Sequence, residues 1–250
     1  MPEIIAAALA TDGLIFLILA VVIAGLVRGF AGFGTAMVFM PIASQFIPPV
    51  WALTAMAIFD CIGPLPNAPR AIKDGHPRDV LRLGAGLLIG APLGIYVLSL
   101  MSPEVFRYSI SFFSLLLLAL LALGVRYSGT LTKPLIFGTG TLSGFLFGIA
   151  GIAAPPAIML YMASTHPAKV IRANLMLFLI LADYVMLATL YISGLLDSSA
   201  IIIGLLLIIP YTLANIAGAA MFNPNREGTY RTIAYVVIAA SAITGLPIWD

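Results

Sequence analysis

Residues 29–41 read GFAGFGTAMVFMP and residues 144–156 read GFLFGIAGIAAPP, and each glycine-rich stretch interrupts a much longer apolar run. The runs cover 13–47 and 134–164, which is 35 and 31 residues. A helix crossing a hydrocarbon core of about 30 Å needs about 20 residues, so each run is too long for one crossing and slightly short for two. Glycine tolerates the backbone angles of a tight reversal, and each run therefore reads as a helical hairpin with a glycine-rich tip. Legs of about 13–16 residues rise only roughly 20–24 Å, which predicts that both tips stop inside the bilayer.

The rest of the chain agrees with a membrane setting. Of 250 residues 62% are hydrophobic and 9% charged, against about a quarter charged in a soluble domain, which excludes a water-soluble globule. A formal charge of +2 is too small a surplus for a nucleic-acid binder. The single cysteine, Cys61, excludes an internal disulfide. Six further helices are expected to cross: 50–69, 80–101 and 104–125, then 168–193, 198–222 and 229–248. With the two hairpins this is an all-α, polytopic membrane protein of 8 to 10 segments. Glu3 and Asp12 are the only charges before Arg28, so no cleaved leader is expected. Placing the 70–82 loop inside puts ten of the 12 basic residues inside, all but Arg28 and Arg107. Both termini then lie outside.

The chain also matches itself. A shift of about 115 residues sets Gly25 on Gly140, Gly29-Phe30 on Gly144-Phe145 and Pro41 on Pro156; a shift of about 118 sets Pro49 on Pro167 and Pro92 on Pro210. The expected units are 1–128 and 129–250, each one hairpin plus three helices. An odd number of crossings per unit makes the repeats inverted. Inverted repeats with interrupted apolar segments point to a secondary transporter whose site lies between the halves.

These residues carry a resemblance. The two glycine-rich hairpins ending in proline, with ALTAM from Ala52 and RANLM from Arg172 after them, resemble the TauE/SafE family of membrane permeases over nearly the whole chain. The family commonly has consecutive glycines where Phe33-Gly34-Thr35 and Ile149 to Ala154 stand here. The resemblance implies export of sulfite, a sulfonate or a related small sulfur-containing anion across the bacterial inner membrane. An anion channel and a proton-coupled importer of a carboxylate or sulfonate are the alternatives.

Helix starts at the tips present unpaired N–H groups and the positive end of a dipole, which suits an anion in a dry site. The substrate is therefore expected at Arg28, Gly32, Gly34 and Thr35 in the first hairpin and at Gly148 and Gly151 in the second, with Asn174 following it. The alternative is that the glycines only let helices approach closely. Arg28, whose counterpart is Ser143, can give a sulfonate or carboxylate two hydrogen bonds at once. Asp60 and Asp183 sit near the centres of otherwise uncharged spans, where a carboxylate must be paired, hydrated or protonated, and either is a candidate to carry a coupling proton. Asp60, Pro64 and Asn67 share a helix face, and Pro64, Pro66 and Pro69 are expected to break the helix. Tyr211 and Asn215 read as polar contacts between helices. His76 and His166 lie in loops with nothing beside them that spells a metal site. No clustered acid, base or nucleophile marks an enzyme, and no cofactor is expected beyond coupling to H+ or Na+. The expected partners are a small anionic substrate and the lipid bilayer, with no nucleic acid; a homodimer is left open.

Overall fold

The computed structural model describes residues 9–65, 68–125, 129–161, 166–221 and 227–248. They form eleven helices and no strand. In chain order these are α1 (Leu14–Ala31), α2 (Thr35–Ala43), α3 (Pro49–Ile62), α4 (Ala68–Asp74), α5 (Pro77–Ser99), α6 (Pro103–Ala122), α7 (Lys133–Ala150), α8 (Ala154–Tyr161), α9 (Ala168–Ile192), α10 (Ser198–Met221) and α11 (Glu227–Thr244).

Five of them are long and apolar enough to cross a membrane: α1, α5, α6, α9 from Lys169, and α10. Their outward faces carry large exposed apolar side chains, such as Leu88, Leu93 and Tyr96 on α5 and Ile209, Leu213 and Ile216 on α10. In water such faces would be a liability; in lipid they are the natural surface. The chain is a multi-pass helical membrane protein.

Three expectations change. The span expected at 50–69 ends as a continuous helix at Ile62, after 14 residues, before Pro64 removes a backbone donor. Asn67 and Pro66 lie outside the described residues. The helix at the expected last crossing, α11, opens with Glu227 and Arg231 and carries Thr229, Thr232 and Ser241, and it is not among the five apolar spans. The hairpin legs, finally, are unequal. The first legs, α1 and α7, have 18 residues each, and the second legs, α2 and α8, have nine and eight. At 1.5 Å per residue the long legs rise about 27 Å and the short ones only about 13 Å. Pro48 and Pro49 explain the first short leg, since the residue before a proline is pushed out of the helical region; Ser44 and Gln45 close its end by donating to the carbonyl of Pro41.

The closest packing crosses the expected boundary at 128/129. Helix α7 lies along α5, and α1 lies along α10. On α5, Gly86, Gly90 and Gly94 face the backbone of α7, and Gly140, Gly144 and Gly148 on α7 face that of α5. A methyl on Gly90 would sit 2.0 Å from the Thr141 carbonyl oxygen. Glycines spaced by four on both helices let the backbones touch, which is how membrane helices gain dispersion energy without a hydrophobic driving force. The α1 seam uses the same device, with Gly25 and Gly29 against Tyr211, Asn215 and Gly218 of α10. These two long seams clamp the first leg of each hairpin and so fix where the tips sit.

Candidate functional site

Both tips are made by glycines in the left-handed region. Gly32 (φ 79°) ends α1 and Gly151 (φ 75°) ends α7, their N–H groups returning to Arg28 and Phe147 carbonyls; Gly34 (φ 104°) precedes α2. The two tips meet at one small cavity of about 30 Å³. Gly34, Thr35, Ala36 and Met37 line it from the first hairpin, and Gly151 to Pro155 from the second. Arg28, Asp60 and Asp183 add the charged part of the wall, and Met56, Phe147 and Leu179 an apolar part. This volume suffices for a water molecule.

The polar groups form one chain. The Tyr211 hydroxyl donates to Asp60 Oδ1. With that proton committed, Thr35 Oγ1 donates to Tyr211 Oη across 3.1 Å. On its other side Asp60 Oδ2 faces the Arg28 guanidinium at 3.8 Å, with only about a tenth of either side chain exposed. Asp183, 3% exposed, lines the same cavity. One guanidinium thus stands among two carboxylates in a dry setting, where an unpaired charge is costly and each pairing counts. Phe59 packs on Tyr211 at 4.8 Å and Phe39 on Phe59 at 5.0 Å, holding the phenol in place from below.

The tips differ as donors. The first turn of α2 is Thr35-Ala36-Met37, three residues with N–H groups, and no side chain caps it. The first turn of α8 is Ala154-Pro155-Pro156, and proline has no N–H. Gly151 and Ile152 spend theirs on the carbonyls of Phe147 and Leu146. The second tip therefore offers few amides at Gly151-Ile152, where the sequence reading expected a match to the first.

Of the residues expected to hold substrate, Arg28, Gly34, Thr35 and Gly151 line the cavity, as do both aspartates. Gly32 sits exposed at the end of α1, with open space where a side chain would be. Gly148 is buried in the α5/α7 seam. Asn174 lies on the opposite face of α9 from Asp183, as nine residues of helix dictate; its Oδ1 accepts the His76 backbone N–H at 2.6 Å. Tyr211 is the residue that sequence reasoning undervalued. Its signal was a phenol directly after Pro210 inside an apolar span. Two loop residues also come together: the rings of His76 and His166 lie 4.7 Å apart. Arg107, at the start of the helix expected over 104–125, is buried within α6, where its Nε donates to the Gly245 carbonyl at 3.2 Å.

Buried charge at the junction of two broken helices, inside a bundle with lipid-facing apolar flanks, defines a membrane transport protein as a class. Residues 17–244 match the family described as sulfite exporter TauE/SafE, and the chain belongs to that family. No curated protein and no solved structure matches it.

Proposed function

We propose that this protein is a secondary transporter that exports a small sulfur-containing anion, sulfite or a sulfonate, across the bacterial inner membrane by alternating access. The observation that carries this reading is the single cavity shared by both hairpin tips, Arg28, Asp60 and Asp183. Its walls come from both repeats, which are inverted relative to one another with both termini outside. At about 30 Å³ the cavity has room for little more than water, so substrate is admitted when the two halves part on one side.

In this reading the Arg28 guanidinium is the counter-charge and the free amides of α2, from Thr35 to Met37, bind the anion's oxygens. The second tip supplies an apolar wall that excludes water. The incoming anion competes with Asp60 for Arg28. With both carboxylates ionised the cluster carries one net negative charge, and an added anion makes two. Anion entry is therefore favoured when a proton sits on Asp60 or Asp183. Export needs no such proton, because the membrane potential favours departure of an anion by about 2.3 kcal/mol per charge per 100 mV. The two carboxylates around one arginine favour a second reading, proton-coupled import, in which anion and proton cross together.

The test is flux in proteoliposomes. Saturable counterflow of labelled sulfite against unlabelled sulfite is expected, and a large single-channel current without counterflow would overturn the proposal. Imposing a voltage or a pH gradient separately then divides the two readings: export alone responds to voltage, coupled movement of a monoanion to the pH gradient.

A further inference from the structure

A second pocket, open to the surface, lies away from the tips between the short helix α4 and the first turns of α9, with a volume of about 420 Å³. Arg70, Lys169 and Arg172 line it with a single carboxylate, Asp74. Lys169 Nζ reaches Asp74 at 2.9 Å and Arg70 Nε reaches it at 3.6 Å. Three cationic side chains and one carboxylate thus share the pocket. The remaining wall is apolar, made by Ala71, Ala173 and Met176. Its depth follows from the helix: Lys169 is the first residue of a membrane-crossing segment, and Met176 lies two turns further, about 10 Å into it. The cationic mouth is thus level with headgroups and the apolar wall with the start of the acyl chains. On the adjoining α4, Ile72 is exposed, which is apt for the same boundary.

We propose that this pocket binds a phosphate group, that of an anionic phospholipid whose acyl chain follows Ala173 and Met176. Arginine suits phosphate because its planar fork gives two parallel hydrogen bonds, while lysine adds a point charge. The volume falls in the range of ordinary ligand sites, whereas the tip cavity is more than tenfold smaller. Asp74 acts as a built-in competitor: it pairs with the charged ends of Lys169 and Arg70 and gives them up to a phosphate. The site requires only that the chain be membrane-embedded, so it stands or falls independently of what the protein transports.

The experiment measures thermal unfolding of the full-length protein in bilayer discs of phosphatidylcholine alone and of phosphatidylcholine doped with phosphatidylglycerol, at equal salt. The doped discs should raise the unfolding midpoint, and the double variant Lys169→Gln/Arg172→Gln should lose at least half of that rise. Lys133→Gln, which removes an interfacial charge outside the pocket, should keep it. Inorganic phosphate added to phosphatidylcholine discs separates the sources: a rise there, also lost in the double variant, assigns the same pocket to soluble phosphate. Asp74→Asn keeps every cation and should enlarge the phosphatidylglycerol response. No midpoint change with either phosphate source, an undiminished rise in the double variant, or a smaller rise in Asp74→Asn would each overturn the proposal.

Discussion

The two hairpin tips share a backbone and differ in chemistry. Each follows an 18-residue leg, ends it with a left-handed glycine, and turns into a short helix against the same cavity. The first carries Arg28 and opens α2 with Thr35-Ala36-Met37; the second carries Ser143 in the place of Arg28 and opens α8 with Ala154-Pro155-Pro156. The two stretches share the seam glycines, Gly25 and Gly29 matching Gly140 and Gly144, because close helix approach requires them. They do not share the donors. A dry site tolerates one cation more readily than two, since every buried charge needs its own partner.

The comparison breaks most visibly at Arg28. Arg28→Gln should abolish sulfite counterflow and leave Asp60 without its counter-charge, a cost of about 3–5 kcal/mol for one partner removed from a buried pair. Ser143→Ala at the mirror position should leave flux unchanged, and because the Ser143 hydroxyl is buried without a hydrogen-bond partner, thermal stability should hold or rise slightly. Equal losses in the two variants would show that the tips work alike after all.

Tyr211→Phe comes next. It removes the link between Thr35 and Asp60 at about 1.5–3 kcal/mol for a hydrogen bond to a charged group. Chemical unfolding monitored by tryptophan fluorescence should read that loss. A smaller difference separates the bends. Gly151→Ala and Gly32→Ala both place a side chain in the left-handed region, at about 1–2 kcal/mol each. At Gly151 the methyl also meets Met56 Cε at 2.9 Å, while at Gly32 it meets nothing. Gly151→Ala should therefore be the less stable of the pair when both are melted side by side.

The smallest effect lies at Asp74, outside the membrane-spanning segments. The hydrogen bond from Lys169 holds the Asp74 carboxyl below the ordinary aspartate range. A carboxylate so depressed contributes stability that is present above its unfolded value, near pH 4, and is lost as pH falls through the folded value. The midpoint difference between wild type and Asp74→Asn should accordingly be constant from neutral pH down to about pH 4 and shrink below it.

Much of this architecture was readable before any fold was known. Apolar run lengths placed helices at 80–101, 104–125, 168–193 and 198–222, and the structure has α5, α6, α9 and α10 there within a few residues. Glycine and proline placed the hairpin bends. The proline pair at 155–156 was equally readable, and it alone would have revealed the donor-poor second tip. Other features were out of reach of local pattern. Tyr211 meets Asp60 across 151 residues and Thr35 across 176, and no periodicity within one helix fixes its rotation against another. The same holds for Asn174, whose face on α9 was predictable relative to Asp183 while its neighbour His76 was not.

By itself the sequence determined that the chain is helical, lies in a membrane and bends twice at glycines, because hydrocarbon forces every backbone group to find its partner within its own segment. Which side chains share a cavity was decided only by tertiary structure. That choice depends on how the glycine seams of α1 on α10 and α5 on α7 set the depth and azimuth of each hairpin, and a seam is a property of two surfaces in contact.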